Sequence, residues 1–325
     1  MKKNIAILCG GNSSEFEVSL KTTDQIIDSL KNEKDIFLIK VIIDNADWYV
    51  DMDGKKIEIN KGNFTFILGE KLIKFDLVLP FIHGKPFENG QMQSYFDIIG
   101  INYSSTSSFV SSLTFDKYYC NNLLSSFGFN VAKSLLVKDL SDFKPEVVSY
   151  KIGYPCFVKP NDSGSSLGIS KVKSEKNLVV AIKYALEEGN SVIIEEFLDG
   201  VEITQGFFVS KAKKFLMPIT EISCSNEFFD FDAKYIEGIT DEIIPARINE
   251  NLVEKCYKIT EDISNLFEFK NFIRIDYIIK GDKIYVLEIN TIPGMTKNSL
   301  IPKAIKYMDL TLKELLLEII KEGLK

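Results

Sequence analysis

The segment "NIAILCGG" (4–11) constrains the fold most. It is an unbroken apolar run that ends in two glycines, as expected of a strand buried on both faces. "EVSLKTTDQIIDSLKN" (17–32) follows with helical spacing, and "IFLIKVIID" (36–44) is a second apolar strand. Strand, helix and strand in this order predict a βαβ unit and hence a parallel sheet.

Further along, residues 47–68 read as a β excursion. "FDLVLPFIHG" (75–84) is another buried strand running into a loop, and "GQMQSYFDIIG" (90–100) is a helix closed by Gly100. The serine-rich "YSSTSSFVSS" (103–112) reads as a connection between domains, with a helix at about 115–127. Strands near 134–138 and 155–160, a loop "SGSSLG", strand 169–173, helix 174–188 and strand 191–197 form an α+β unit. The remainder is strand-rich up to a helix at 250–266. A hairpin and a helix at 311–322 end the chain. A chain of 325 residues exceeds one ordinary domain, so two or three are expected.

The hairpin "RIDYIIKGDKIYVLEIN" (274–290) carries an anomaly. Arg274 and Asp276 share one face of the first strand, and Glu288 and Asn290 share one face of the second. A solvated face with surface ion pairs is the plain explanation. Against it stand the runs Tyr277–Ile279 and Tyr285–Leu287, which suggest burial on both sides. Two carboxylates and an amide oxygen also suit a hard cation such as Mg²⁺. That reading expects Asp276 opposite Glu288 and Arg274 opposite Asn290, with an odd-length loop such as Gly281-Asp282-Lys283. A two-residue Gly281-Asp282 turn would place Asp276 opposite Leu287 unless a bulge intervened.

Four further polar groupings interrupt apolar surroundings. "GGNSSEFEVS" (10–19) brings backbone amides to a helix N-terminus, where an anion is favoured, although simple capping explains the same residues. It lacks the dinucleotide glycine spacing. In "FIHGKPFENGQMQ" (81–93), His83 is the single histidine and sits where a buried strand meets a loop. It is either functional or a hydrogen-bonded core residue, and Glu88 and Asn89 read as turn residues. In "PCFVKPNDSGSSLGISKV" (155–172), Lys159 stands in a buried strand and needs an anionic partner. The small, donor-rich loop after it can cradle phosphate, without the P-loop ending. In "VIIEEFLDGVE" (192–202), Glu195 and Glu202 are either a solvated turn or acceptors for ribose and adenine groups. Together these suggest nucleotide–Mg²⁺ chemistry without a Walker motif.

Net charge is −7, from 39 basic and 46 acidic residues, which argues against a nucleic-acid partner. The five cysteines form no C-x-x-C and read as reduced thiols of a cytoplasmic protein. The apolar run Ile5–Cys9 is too short for a signal peptide. No stretch approaches the ~20 residues of a membrane span.

Six motifs, "GGNSSEFEVSL", "HGKPFENGQMQ", "TFDKYYCNNLL", "FVKPNDSGSSLGISKV", "FFDFDAKY" and "RIDYII…LEINTIPGMTKNSLIP", stand in an order and spacing that resemble the D-alanine–D-alanine ligases of the ATP-grasp superfamily. The resemblance spans nearly the whole chain. It implies an α/β and α+β, three-domain ATP-grasp architecture. The expected units are a Rossmann-like parallel-sheet domain (1–104), a central subdomain (105–197) and a C-terminal ATP-grasp and metal-binding domain (198–325). It implies that Lys117, Lys159, Ser166 and Lys234 serve ATP phosphates, and that Glu195, Phe197, Leu198 and Glu202 hold adenine and ribose. Asp276, Glu288 and Asn290 would hold two Mg²⁺, with Mn²⁺ able to substitute. Arg274 and Gly294 would stabilise the oxyanion. Glu17 and His83 would bind the first D-alanine, and Ser299 would contact the second. Ser165, Tyr235 and Glu17 would link a mobile loop over the site, and Tyr235 favours an amine nucleophile. Phe16, Phe87 and Asn89 depart from the family's pattern at the substrate end. The resemblance further implies a homodimer, with D-serine or D-lactate as rival second substrates. A non-catalytic nucleotide-binding module is the alternative of another class.

Overall fold

The computed structural model describes residues 2–52, 54–141, 143–164, 167–224 and 240–325. The side chains of Cys224 and Thr240 fall outside the description. The N-terminal sheet has the strand order β4-β3-β2-β1-β7. Its strands are β1 (Lys3–Gly10), β2 (Ile36–Asp44), β3 (Asp47–Met52), β4 (Lys55–Glu58) and β7 (Leu77–Pro80). Strand β1 pairs in parallel with both β2 and β7, as the βαβ pattern predicts. The excursion folds back antiparallel as β3 and β4, and a separate hairpin, β5 (Thr65–Leu68) and β6 (Lys71–Lys74), follows.

Alternation along β1 serves two cores. Ile5 and Ile7 face one apolar cluster, whereas Ala6 and Leu8 face another. The first cluster also takes Ile26 and Leu30 of helix α1 (Phe16–Leu30) and Leu315, Leu316, Ile319 and Ile320 near the C-terminus. Thus the last helix docks on the first sheet. A Cβ added at Gly323 would come within 2.5 Å of Leu77 Cδ1, so a larger residue there would force the Leu77 side chain to shift.

The second sheet, order β11-β10-β12-β9, contains β9 (Ser134–Val137), β10 (Cys156–Pro160), β11 (Ser170–Val172) and β12 (Val192–Glu196). The third, order β15-β14-β13-β16-β17-β8, contains β8 (Asn130–Val131), β13 (Val201–Val209), β14 (Lys214–Cys224), β15 (Thr240–Ile243), β16 (Asn271–Lys280) and β17 (Lys283–Asn290).

Three stretches differ from expectation. The serine-rich connection becomes helical at Ser108–Phe115 (α3, after α2 at Gln91–Ile99), because the Ser107 side chain caps it by accepting from Val110 N–H. A new cap, Asp116, then starts α4 (Lys117–Ser126), the helix expected at about 115–127. Helices α5 (Pro145–Lys151) and, after α6 (Leu178–Leu186) and α7 (Glu250–Phe267), α8 (Leu300–Tyr307) escape the pattern reading. Both are too short for a full amphipathic repeat. Helix α9 (Leu312–Gly323) matches the C-terminal expectation and starts with a capping box at Thr311 and Glu314. Among the described residues, no helix is long and apolar enough to cross a membrane.

Behind the third sheet lies a buried polar chain. Thr260 Oγ1 of α7 meets Gln205 Oε1 and Tyr277 OH, each at 2.6 Å. Gln205 Nε2 donates to Met217 O at 3.2 Å. The chain fixes β13, β14 and β16 to α7 from the side opposite Asp276. Thr260→Val keeps the shape but strands the buried Tyr277 hydroxyl and leaves Gln205 Oε1 only the weak Cys256 thiol donor, at 3.6 Å. It should cost about 2 kcal/mol, read by urea denaturation, and a neutral effect would contradict this account.

Candidate active site

The platform is built by the β16–β17 hairpin. Asp276 stands opposite Glu288, and Arg274 opposite Asn290, as the metal reading expects. The expected odd-length loop is wrong, however. The turn is the two-residue Gly281-Asp282, closed by Lys280 opposite Lys283, with Gly281 at φ +60°. The register then shifts between Asp276 and Tyr277. Tyr277 pairs with Val286, leaving Leu287 as the extra residue of a bulge. The bulge returns both carboxylates to one face.

Asp276 is buried and heavily bonded. Arg274 donates Nε–H to Oδ1 at 2.9 Å and Nη2–H to Oδ2 at 2.8 Å. Thr204, its neighbour across β13, donates to Oδ1 at 2.5 Å, and Asn290 Nδ2 donates to Oδ2 at 3.1 Å. Glu288 lies 3.7 Å from Lys117 Nζ and 3.9 Å from Arg274 Nη2. Burial alone would lower the Arg274 pKa. Asp276 and Glu288 outweigh it and hold the guanidinium firmly charged.

Lys159 approaches from the second sheet. It is buried, and its partner here is Glu195, at 2.6 Å. Asn121 Nδ2 of α4 donates to the other Glu195 oxygen at 3.2 Å. Burial pulls the Lys159 pKa down, but Glu195, Glu288 and Glu202 raise it above the usual lysine value, so the ammonium persists. Phe197 and Leu198 form the link between β12 and β13, which joins the two sheets. Lys171 Nζ sits 4.0 Å over the Phe197 ring. Glu202, the second residue of β13, stands opposite Ile278.

The N-terminal sheet brings the third set. Ser19 Oγ of α1 accepts from Gly10 N–H at 3.0 Å and donates to Phe81 O at 2.6 Å, which ties the ends of β1 and β7 together. Gly10 and Gly11 are at φ +89° and +105°, a conformation favouring glycine. His83 is buried, and its Nδ1–H donates to Ile292 O at 3.0 Å. Its Nε2 is buried without a partner among the described residues. A purely structural histidine would have satisfied both nitrogens, so this ring is half-committed. Gly294 follows Ile292 and Pro293, and a Cβ there would lie 2.9 Å from Ser299 Oγ. Ser299 Oγ bonds Thr296 Oγ1 at 2.8 Å and accepts from its N–H at 3.1 Å. Glu17 is exposed on the first turn of α1. Ser165, Ser166, Lys234 and Tyr235 lie outside the described residues.

Pattern reading missed Glu88, taken as a turn residue. It is buried, accepting from Gly84 N–H at 2.7 Å and Ile292 N–H at 3.4 Å. Together His83 and Glu88 grip both polar atoms of the Ile292 backbone. Burial pushes the Glu88 carboxyl up from 4.5 to about 8, against the pull of the two amides. Its native form therefore holds a proton that the unfolded chain releases between those values, so stability falls as pH rises through this window. Glu88→Gln should gain on the wild type across it, by up to about 1.4 kcal/mol per pH unit, with parallel curves above it. Urea denaturation at several pH values checks this, and a pH-independent difference would refute it.

Two family models match, described as the D-ala D-ala ligase N-terminus over residues 4–106 and the D-ala D-ala ligase C-terminus over 123–321. A curated relative from Azobacteroides pseudotrichonymphae, named D-alanine–D-alanine ligase, is 45% identical, covering 98% of this chain and 99% of its own. Among solved structures, the VanG D-Ala:D-Ser ligase from Enterococcus faecalis superposes with a TM-score of 0.87 at 28% identity, covering 99% of this chain and 100% of that one. The Bacillus anthracis D-alanine–D-alanine ligase complexed with ATP gives 0.79 at 27%, covering 100% and 97%. Sequence, fold and the convergence of three sheets on one polar site agree: the chain belongs to the D-alanine–D-alanine ligase family.

Proposed function

We propose that the protein joins two D-alanine molecules into D-alanyl-D-alanine at the expense of ATP, for peptidoglycan precursor synthesis. The observation that carries this is the carboxylate–guanidinium–amide platform, Asp276, Glu288, Arg274 and Asn290, faced by Lys117 and Lys159. Three cations, Arg274, Lys117 and Lys159, meet three carboxylates, Asp276, Glu288 and Glu195. Such a balanced site suits a triphosphate whose charge divalent ions offset.

Asp276, Glu288 and Asn290 supply hard oxygen donors, the set Mg²⁺ prefers, and would hold two ions, with Mn²⁺ as a substitute. Bound Mg²⁺ supplies charge neutralisation to the phosphates. The chain's own groups position and polarise. The first D-alanine carboxylate attacks the γ-phosphorus, forming an acyl phosphate and releasing ADP. The second amine then attacks the acyl carbon, and phosphate departs. Lys159 has three N–H donors and spends one on Glu195, which leaves donors for phosphate, and Lys117 adds another charge. Ser166 and Lys234 would join them, while Glu195, Phe197, Leu198 and Glu202 receive the adenosine. Arg274 spends two of its five donors on Asp276, and the rest can serve the oxyanion together with Gly294 N–H.

Glu17 would take the first ammonium group, and His83 would lie near the carboxylate. Ser299 would contact the second substrate, and Ser165 and Tyr235 would close the loop with Glu17. Closure keeps water from the acyl phosphate. The three domains at 1–104, 105–197 and 198–325, a homodimeric assembly and a cytoplasmic setting complete this reading. The likeness to VanG supports a second one, in which D-serine is the second substrate.

ADP release measured with D-alanine alone, then with D-serine or D-lactate added, tests both. Mg²⁺-dependent release with D-alanine alone is expected, and its absence would end the main reading. Arg274→Met should lose about 10²–10³-fold in kcat, the usual effect of removing one oxyanion donor.

A further inference from the structure

Lys85 and Asp162 have no part in the roles above, yet they bridge the N-terminal loop to the loop after β10. Lys85 Nζ meets Asp162 Oδ2 at 2.6 Å, with side chains 32% and 16% exposed. The Lys85 carbonyl also accepts from Asn12 N–H at 2.7 Å, which fixes it against the Gly10–Gly11 turn. Asp162 is anchored in turn by Asn190, whose N–H and Nδ2 donate at 3.0 and 2.8 Å. Burial would push the Asp162 carboxyl up, but Lys85 and Asn190 hold it below its usual value, so it stays ionised.

The loop that Asp162 opens is gripped on its other side as well. Lys117 Nζ donates to Ser163 O at 2.6 Å, and Asn161 Oδ1 accepts from Tyr118 N–H at 2.8 Å. Next in the loop, a Cβ on Gly164 would lie 2.7 Å from Glu15 Oε2. The loop therefore approaches the N-terminal segment closely at this point. Beside the ion pair opens a polar cleft of about 510 Å³, lined by Asn12, Ser13, Glu15, Asp44 and Glu187 among others.

We propose that Lys85 is a positioning residue: its ion pair with Asp162 latches the loop after β10 onto the His83–Glu88 loop and so sets the affinity for D-alanine. The inference rests on the ligase reading. Lys117 keeps its own hold on Ser163 when Lys85 is lost, so the nucleotide side of the loop stays in place. An exposed ion pair contributes little. This one differs in that Asn190 fixes the Asp162 carboxylate and Asn12 holds the Lys85 backbone, which lowers the entropy cost of pairing.

The test is a double-mutant cycle on the full-length enzyme, with KM for D-alanine and for ATP measured separately. Lys85→Met and Asp162→Asn should each raise KM for D-alanine about tenfold, and the double variant should do no worse than either. Lys85→Arg should stay within about twofold of wild type, and KM for ATP should hardly change in any variant. Unchanged or additive effects on D-alanine would overturn the latch. So would a matched rise in KM for ATP with a lowered Tm, which marks a purely structural pair. If the wild type itself releases no ADP with D-alanine, the ligase reading falls and the latch with it. If the wild type is active and the variants match it, only the latch falls.

Discussion

The pairing of β16 with β17 governs the site. Opposed residues of an antiparallel pair share a face, so placing Asp276 opposite Glu288 forces two carboxylates together. Such a pair repels unless cations intervene. Arg274 supplies the first from within the same strand, two residues from Asp276, through a bidentate contact. Lys117 and Lys159 come from outside the hairpin, on α4 and β10. The charge balance of the platform therefore needs the second sheet and the third to face each other.

The N-terminal sheet is attached to this pair in two ways. Apolar packing of α9 and α8 against β1, β7 and α1 fixes its position. Polar contacts aim its loops: His83 and Glu88 hold the Ile292 backbone two residues before Gly294. A carboxyl, an imidazole and a peptide group thus set where the proposed oxyanion donor stands relative to the proposed amino-acid site. Glu88 can do this while buried because its proton removes the charge that burial would penalise. The same convergence places the ends of parallel strands β1 and β7 at the cleft, where open α/β sheets bind ligands.

Much of this was legible in the chain. Apolar runs and their spacing predict the parallel sheet, and the face-sharing of Arg274, Asp276, Glu288 and Asn290 predicts their pairing. The bulge at Leu287 was not legible, because apolar residues on both sides of the hairpin hide which register fills the core better. Glu88 looked like a turn residue, since a carboxylate among Pro86, Asn89 and Gly90 gives no local sign of burial. Its partners Gly84 and Ile292 are backbone groups, and Ile292 is far off in sequence. The partner of Lys159 was expected to be an anion. That it is Glu195 follows only from the antiparallel pairing of β10 with β12. Helix α3 depended on one cap, Ser107, within a run of serines where any of several could have served.

The central claim is that the opposed carboxylates of one hairpin hold the ions that accompany the triphosphate. Counting bound Mn²⁺ by electron paramagnetic resonance, with a non-hydrolysable ATP analogue at saturation, tests it most directly. Two ions per chain are expected in the wild type, with fewer once Asp276 becomes Asn or Glu288 becomes Gln. Unaltered stoichiometry and affinity in the variant carrying both substitutions would contradict the account.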